Sequence, residues 1–326
     1  MTQRLGRSGP VLSGFGLGLA ALGRPAYINL GHAGDLPQGR SVEAMEAHAH
    51  RVLDQAFALG VRYFDAARSY GRAEEFLRSW VQSRGIRPEE IAIGSKWGYR
   101  YTGEWQVDGR VQEVKDHGVG MLSAQSAESM SILGPYLNLY QIHSAAPETR
   151  VLENEQVIGQ LLRLRERGIF LGVTATGLTQ LETVRRAVDL RFDGAPLFAA
   201  VQATWNLLER SAEPALREAH DAGLAVLVKE PLANGRLTPR GDAGQAGPLR
   251  EVSDRLGASA DAVALAYVAK EPWADVVLLG AATEEQVQSN LRAKEVRFAA
   301  EDLRLLDGMR VPEQEYWSSR ARLAWN

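Results

Sequence analysis

Short apolar runs alternate with longer amphipathic segments along the whole chain. The runs are Gly14–Ala20, Val61–Asp65, Ile91–Lys96, Leu137–His143, Phe170–Thr174, Ala199–Thr204, Ala225–Lys229 and Val276–Gly280. Each is nearly continuous in apolar residues, as parallel strands covered on both faces must be. The segments between them carry helical spacing. Val42–Leu59 sets Val52, Ala56 and Leu59 on one face, and Ala73–Ser83 does the same with Phe76, Leu77 and Trp80. Gln156–Arg167 turns Leu161, Leu162 and Leu164 inward and its charged residues outward. Gly60, Gly85, Gly168 and Gly223 follow helical segments, where glycine accepts the left-handed conformation that ends a helix. The unit helix–glycine–strand therefore recurs. Eight βα units predict one (β/α)8 TIM barrel domain over residues 1–326, with an N-terminal β-hairpin. A doubly wound sheet is the alternative. It would usually carry a GxGxxG turn, which the stretch GFGLGLAALG does not match.

Composition narrows this picture. The chain has 326 residues, 45% hydrophobic and 24% charged, the balance of an ordinary globular domain. A net charge of -3 gives no electrostatic pull toward nucleic acid or an anionic membrane. The absence of cysteine excludes disulfides, thiolate metal sites and cysteine nucleophiles. Residues 1–23 place Arg4 and Arg7 before an apolar, glycine-rich run, which loosely resembles a secretory leader. Gly9, Pro10, Gly14, Gly16 and Gly18 interrupt that run, and a hairpin leading into the first strand is the other reading. No run of about 18 apolar residues marks a membrane span. The expectation is a cytoplasmic protein that meets a small molecule rather than nucleic acid or membrane. Residues 99–118 and 238–250 read as loops after the third and seventh strands, placed to cover a barrel mouth.

Chemistry in a barrel sits at the C-terminal ends of its strands. Asp65 ends VRYFD, Lys96 ends IAIGSK and His143 ends LYQIH, while Tyr70 follows Asp65 in the loop ARSYG. Singly, each has an ordinary explanation: a helix cap, a half-buried loop phenol, a snorkelling ammonium, a satisfied core imidazole. Together they converge, because strands two, three and four aim them at one mouth. An ammonium beside a phenol lowers its pKa from about 10. Lys96 is expected to do this for Tyr70, with Asp65 holding Lys96. His143 can donate a hydrogen bond to a carbonyl oxygen as charge develops there. The set can protonate an oxyanion but holds no activated nucleophile, which suits hydride delivery by a cofactor.

FDAARSYG, SKWG and YQIHS resemble the three active-site motifs of the aldo-keto reductase superfamily. The family's aspartate, tyrosine, lysine and histidine fall on Asp65, Tyr70, Lys96 and His143 without substitution. The likeness runs from RLGRSG near the start to LGAATEEQVQSNLRA near the end. It implies an oxidoreductase that moves a hydride between NADP(H), or NAD(H), and an aldehyde, ketone or sugar carbonyl, with Tyr70 as general acid–base. It also implies cofactor contacts at Gly18, Thr174, Gln202, Pro231, Leu232, Asn234 and Gly235. The adenosine end would fall on Gly280, Ala281, Thr283, Gln286 and Asn290. This chain departs from the family at three points. Ala175 stands where an asparagine often binds the carboxamide. Lys229 stands where an aromatic ring commonly stacks on the nicotinamide, with Trp205 as a neighbouring candidate. Ala281, Ala282 and Thr283 replace a segment that often carries Lys or Arg, leaving Thr283 or Arg292 to meet a 2′-phosphate. NADP(H) is favoured on family grounds, with NAD(H) open. Trp97, Tyr99, Tyr101 and Trp105 suggest an aromatic wall for an apolar or ring-bearing carbonyl or a sugar. The tail 311–326, with Trp317 and Trp325, is expected over the mouth or at an interface. The alternative function is a cofactor-binding regulatory or interaction subunit with little turnover. A metal-dependent barrel would need ligands at strand ends, and the five histidines other than His143 fall elsewhere.

Overall fold

The computed structural model describes residues 4–5, 9–36, 39–107 and 111–326. Eight parallel strands close into one barrel. They are β1 (Gly14–Gly18), β2 (Tyr63–Asp65), β3 (Ala92–Trp97), β4 (Leu137–Ala145), β5 (Phe170–Ala175), β6 (Ala200–Thr204), β7 (Ala225–Lys229) and β8 (Val276–Leu279). Each pairs with its sequence neighbour, and β1 closes on β8 with Leu17 beside Leu279. Helices α1 (Val42–Ala58), α2 (Ala73–Arg84), α3 (Val119–Leu133), α4 (Glu155–Glu166), α5 (Gln180–Asp189) and α6 (Glu213–Asp221) follow β1 to β6 in turn. Then come α7 (Asp242–Gln245), α8 (Gly247–Leu256) and α9 (Ala260–Ala269) between β7 and β8. The last are α10 (Glu284–Leu291), α11 (Ala300–Asp307) and α12 (Glu313–Ala321). The eight strands stand where the apolar runs predict them. Gly60, Gly85, Gly168 and Gly223 all take positive φ at helix ends.

The strand alternation sorts side chains into two cores. Outward residues such as Phe64, Ile93, Tyr140, Val201, Val226 and Val277 pack under the helices. Inward residues at the lower ends of the strands, Tyr63, Ala92, Leu139, Ala200, Leu227 and Val276, fill the barrel. Leu5 and Leu12 join this inner cluster and close the bottom. They flank the expected hairpin, seen as an antiparallel bridge between Arg4 and Val11. Its turn, within the RLGRSG motif, lies outside the described residues. Gly94 keeps the interior open for a large ring, since a Cβ there would lie 2.2 Å from the Tyr63 hydroxyl.

Two expected loops contain regular structure. Residues 99–118 include a β-hairpin, Tyr99–Tyr101 paired with Glu113–Lys115, and residues 108–110 of that segment lie outside the described residues. Residues 238–250 contain α7 and the start of α8. The Gly and Pro content that suggests a loop there serves helix ends instead. Gly247, the first residue of α8, takes a φ of 68°, and Pro248 fills the first turn of that helix, where its missing N–H costs nothing. Among the described residues, no helix is long and apolar enough to cross a membrane.

Candidate active site

Inward positions change from apolar to polar as each strand climbs. Tyr63 gives way to Asp65 on β2, Ala92 to Lys96 on β3, Leu139 to Gln141 and His143 on β4. The same step takes Ala200 to Gln202 on β6 and Leu227 to Lys229 on β7. The fold thus gathers polar groups at the C-terminal mouth. Asp65 and Lys96 are 2% and 1% exposed, so their charges must find partners. They pair with each other. The Asp65 carboxylate also accepts from Tyr63 Oη at 3.1 Å, Gln141 Nε2 at 3.2 Å and Gln202 Nε2 at 3.3 Å. Lys96 Nζ further donates to the Ala66 carbonyl at 2.9 Å and to Tyr70 Oη at 3.5 Å. An ammonium has three protons, and these three acceptors use them all. The Tyr70 oxygen accepts from lysine, so its own proton is left to donate elsewhere. The His143 ring stands edge-on to the Tyr70 ring at 5.6 Å.

The electrostatics differ from the expectation in one respect. Tyr70 is held above, not below, the usual phenol value. Burial is the main cause, followed by the Asp65 carboxylate, and the Arg24 guanidinium opposes them. Lys96 is largely answered by Asp65, so it anchors the phenol more than it acidifies it. Burial, then the Lys96, Lys229 and Arg24 cations, pushes His143 well below the usual histidine range. Its imidazole is neutral at pH 7 and able to donate one ring N–H.

Tyr70 and His143 open onto a cavity of about 610 Å³. The profile of the Aldo/keto reductase family matches residues 35–310. The chain belongs to that family. An uncharacterized oxidoreductase of Bacillus subtilis is 26% identical over 312 residues, covering 85% of this chain and 93% of that protein. Norsolorinic acid reductase of Emericella nidulans is 26% identical over 277 residues, covering 78% and 70%. In fold, the chain resembles an aldo-keto reductase from Bacillus halodurans in its holo form. The TM-score is 0.72 and the identity 21%, with 97% of this chain and 100% of that one covered.

Most residues singled out as cofactor contacts in this aldo-keto reductase share the cavity wall. Gly18 and Gln202 line it beside Tyr70 and His143. Pro231, Leu232, Asn234, Gly235, Gly280, Ala281, Gln286 and Asn290 line it as well. The amide oxygens of Asn234 and Asn290 are buried without a hydrogen-bond partner among the described residues, a donor-hungry pair on that wall. Gln202 spends its amide nitrogen on Asp65 and on Gln141 Oε1 at 3.4 Å. Gln286 ties Ala282 N (2.8 Å) to Asp35 Oδ1 (2.9 Å).

Other expectations are redrawn. Thr174 is off the cavity, its hydroxyl accepting from Ser144 N at 2.6 Å, and Thr176 lines the wall instead. Thr283 caps α10 by accepting from Gln286 N and faces a smaller recess with His48, Arg51 and Arg240. Arg292 stays at the surface near Glu295, while Arg240 lines both spaces. Trp205 is no neighbour of the cavity: it is 1% exposed, stacked on Tyr267 and edge-on to Trp273 in the outer core. Trp97 likewise faces outward, against His117. Trp105 donates to the Arg40 carbonyl at 2.6 Å. Of the aromatic cluster after β3, Tyr99 alone lines the cavity.

The sequence reading missed Arg24, Tyr27, Glu230 and Arg320, which line the cavity together with Trp325 of the tail. Tyr27 and Asn326 exchange backbone hydrogen bonds at 3.1 and 3.2 Å, so the tail does lie over the mouth, as one expectation held. Lys229 donates to Thr204 Oγ1 at 3.0 Å and Thr176 Oγ1 at 3.3 Å, and burial brings it down to about 8. Burial opposes the charge of Glu230, but Arg320 and Lys229 outweigh it and hold the carboxyl down to about 2. An arginine before a proline, RPAY, gave no periodic or motif signal to flag it.

Proposed function

We propose that this aldo-keto reductase reduces a carbonyl compound with a hydride from NADP(H), with NAD(H) as the alternative donor, and that Tyr70 supplies the proton. One observation carries the reading: Tyr70 Oη accepts from Lys96 while opening onto the cavity beside a neutral imidazole. The donor set fits a dinucleotide. Asn234 and Asn290 offer unpartnered amide oxygens, and Gly280 leaves its surroundings open, with nothing within 4 Å of a Cβ built there. Pro231, Leu232, Asn234 and Gly235 would hold the middle of the cofactor, with Gln286 and Asn290 at the adenosine end. Gln202, with Thr176 in place of Thr174, would meet the nicotinamide amide. When bound, the cofactor supplies the hydride.

The chain's own residues do the rest. His143 Nδ1 lies 3.5 Å from Ser69 Oγ. Accepting that bond leaves the proton on Nε2, free to polarise a carbonyl oxygen. Tyr70 then donates its proton to the same oxygen as charge builds, and Lys96 and the Asp65 network hold the phenol in line. Tyr27, Tyr99 and Trp325 give the substrate end flat apolar surface, which favours an aromatic or other ring-bearing carbonyl. Parallel fluorescence titrations with NADPH and NADH, followed by cofactor consumption with benzaldehydes and aldoses, test the reading. Binding and consumption support it. Tight binding with no consumption across the panel would replace it with a cofactor-sensing subunit.

A further inference from the structure

We infer that Arg24 is a second cation for the Tyr70 phenol and that Glu113 sets how much of its charge the phenol feels. The inference rests on Tyr70 being the proton donor. Arg24 sits in the loop after β1 and is 2% exposed. Its guanidinium carbon lies 5.3 Å from the Tyr70 ring centroid, within cation–π range. Its Nη1 donates to the Ser69 carbonyl at 2.9 Å, the residue before Tyr70. The same Nη1 meets Glu113 Oε2 at 2.9 Å, in the hairpin that covers the mouth. The rings of Tyr27 and Trp325 flank it at 5.6 and 4.7 Å.

This contact is built into the backbone. The loop holding Arg24 and the loop holding Tyr70 touch through two glycines. A Cβ on Gly23 would fall 2.2 Å from the Tyr70 carbonyl oxygen, and one on Gly71 would fall 2.4 Å from the Gly23 carbonyl oxygen. Arg72 N donates to the Gly23 carbonyl at 2.7 Å and locks the pair. No side chain can come between the two loops, so the Arg24 backbone stays beside the Tyr70 loop, and the hydrogen bonds to Ser69 and Glu113 aim the guanidinium at the phenol.

The division of labour follows from the partners. Lys96 is paired to Asp65, whose carboxylate works against ionisation of Tyr70, whereas the Arg24 guanidinium favours it. Among the described residues Arg24 forms its ion pair with Glu113, which is 24% exposed at its side chain and so screened by water on one side. The titratable groups around the phenol are the charged Asp65 and Lys96 on β2 and β3, the neutral His143 on β4, and Tyr27 in the loop after β1. Arg24 follows β1, Glu113 lies in the hairpin, and Glu230 and its partner Arg320 stand across the cavity beside Lys229. Of these, Arg24 is the cation whose carboxylate partner lies nearest to solvent. A substrate or hairpin movement that separated Glu113 from Arg24 would make Tyr70 more acidic.

The test reads the phenol directly and needs no turnover. In the full chain Tyr70 is replaced site-specifically by a trifluorotyrosine, whose phenol ionises far more readily than tyrosine's, and its 19F signal is followed by NMR from pH 7 to 12. Arg24→Met is expected to move the onset of Tyr70 ionisation up by about one pH unit, the scale of one nearby charge. Arg24→Lys, which keeps a cation, should restore part of that shift. Glu113→Gln, a partly exposed change that tests the idea without opening the core, should move it the other way. An onset unchanged in Arg24→Met, or one that moves upward or not at all in Glu113→Gln, overturns the proposal. Failure of the general-acid reading would show separately, as Tyr70→Phe turning over normally.

Discussion

At the scale of single residues, the site is a chain of obligations. Asp65 is buried, so it needs Lys96; Lys96 has three protons, so it needs Ala66 and Tyr70 as well. Removing a link has consequences beyond chemistry. Lys96→Met should leave a buried carboxylate without its cation and cost about 3–5 kcal/mol, read from urea denaturation. Tyr70→Phe removes only an oxygen at the cavity edge. It should keep the fold and cofactor affinity while lowering the reduction rate about 10²–10⁴-fold, in steady-state kinetics. The four polar residues were legible because each ends or follows an apolar run, and the structure brings them together. The direction of the Tyr70 shift was not legible. It depends on how deeply the phenol is buried and how closely Asp65 answers Lys96, and a spacing of residues along the chain encodes neither.

At the scale of elements, the loops hold what periodicity could not show. Strands and helices announce themselves by apolar repeats, and all eight strands stand where those repeats put them. Residues 99–118 lack such a repeat, yet pair as a hairpin whose Glu113 reaches Arg24. The contact between the loops after β1 and β2 was equally silent, because it is made by two glycines and backbone oxygens. It should be costly to disturb. Gly71 has a φ of 58° as well as the close approach to Gly23. Gly71→Ala should therefore destabilise the protein by about 1–3 kcal/mol and slow reduction by displacing Tyr70. Thermal melts and turnover measured side by side check both effects. Trp205 shows the converse error. Its position near a strand end suggested the cavity, but alternation turned it into the outer core.

At the scale of the whole molecule, the barrel separates an apolar lower interior from a polar mouth, and its connecting segments bury two imidazoles. His32 and His117 are pushed down to about 4, chiefly by burial. Unfolded, each takes a proton near pH 6.5. Between about 6.5 and 4 the unfolded chain binds more protons, so stability should fall as pH falls through that window. Below about 4 both forms are protonated and this contribution levels off. Urea midpoints at several pH values should show the slope, and His117→Asn should flatten it. The central claim concerns the mouth. Its most direct test is to supply NADPH or NADH carrying deuterium at the transferable C4 position, together with the panel of benzaldehydes and aldoses, and to examine the alcohol products by mass spectrometry. The account predicts deuterium on the carbinol carbon of at least one product, with the yield collapsing in Tyr70→Phe although the cofactor still binds. Tight cofactor binding with no deuterium transferred to any carbonyl would contradict it.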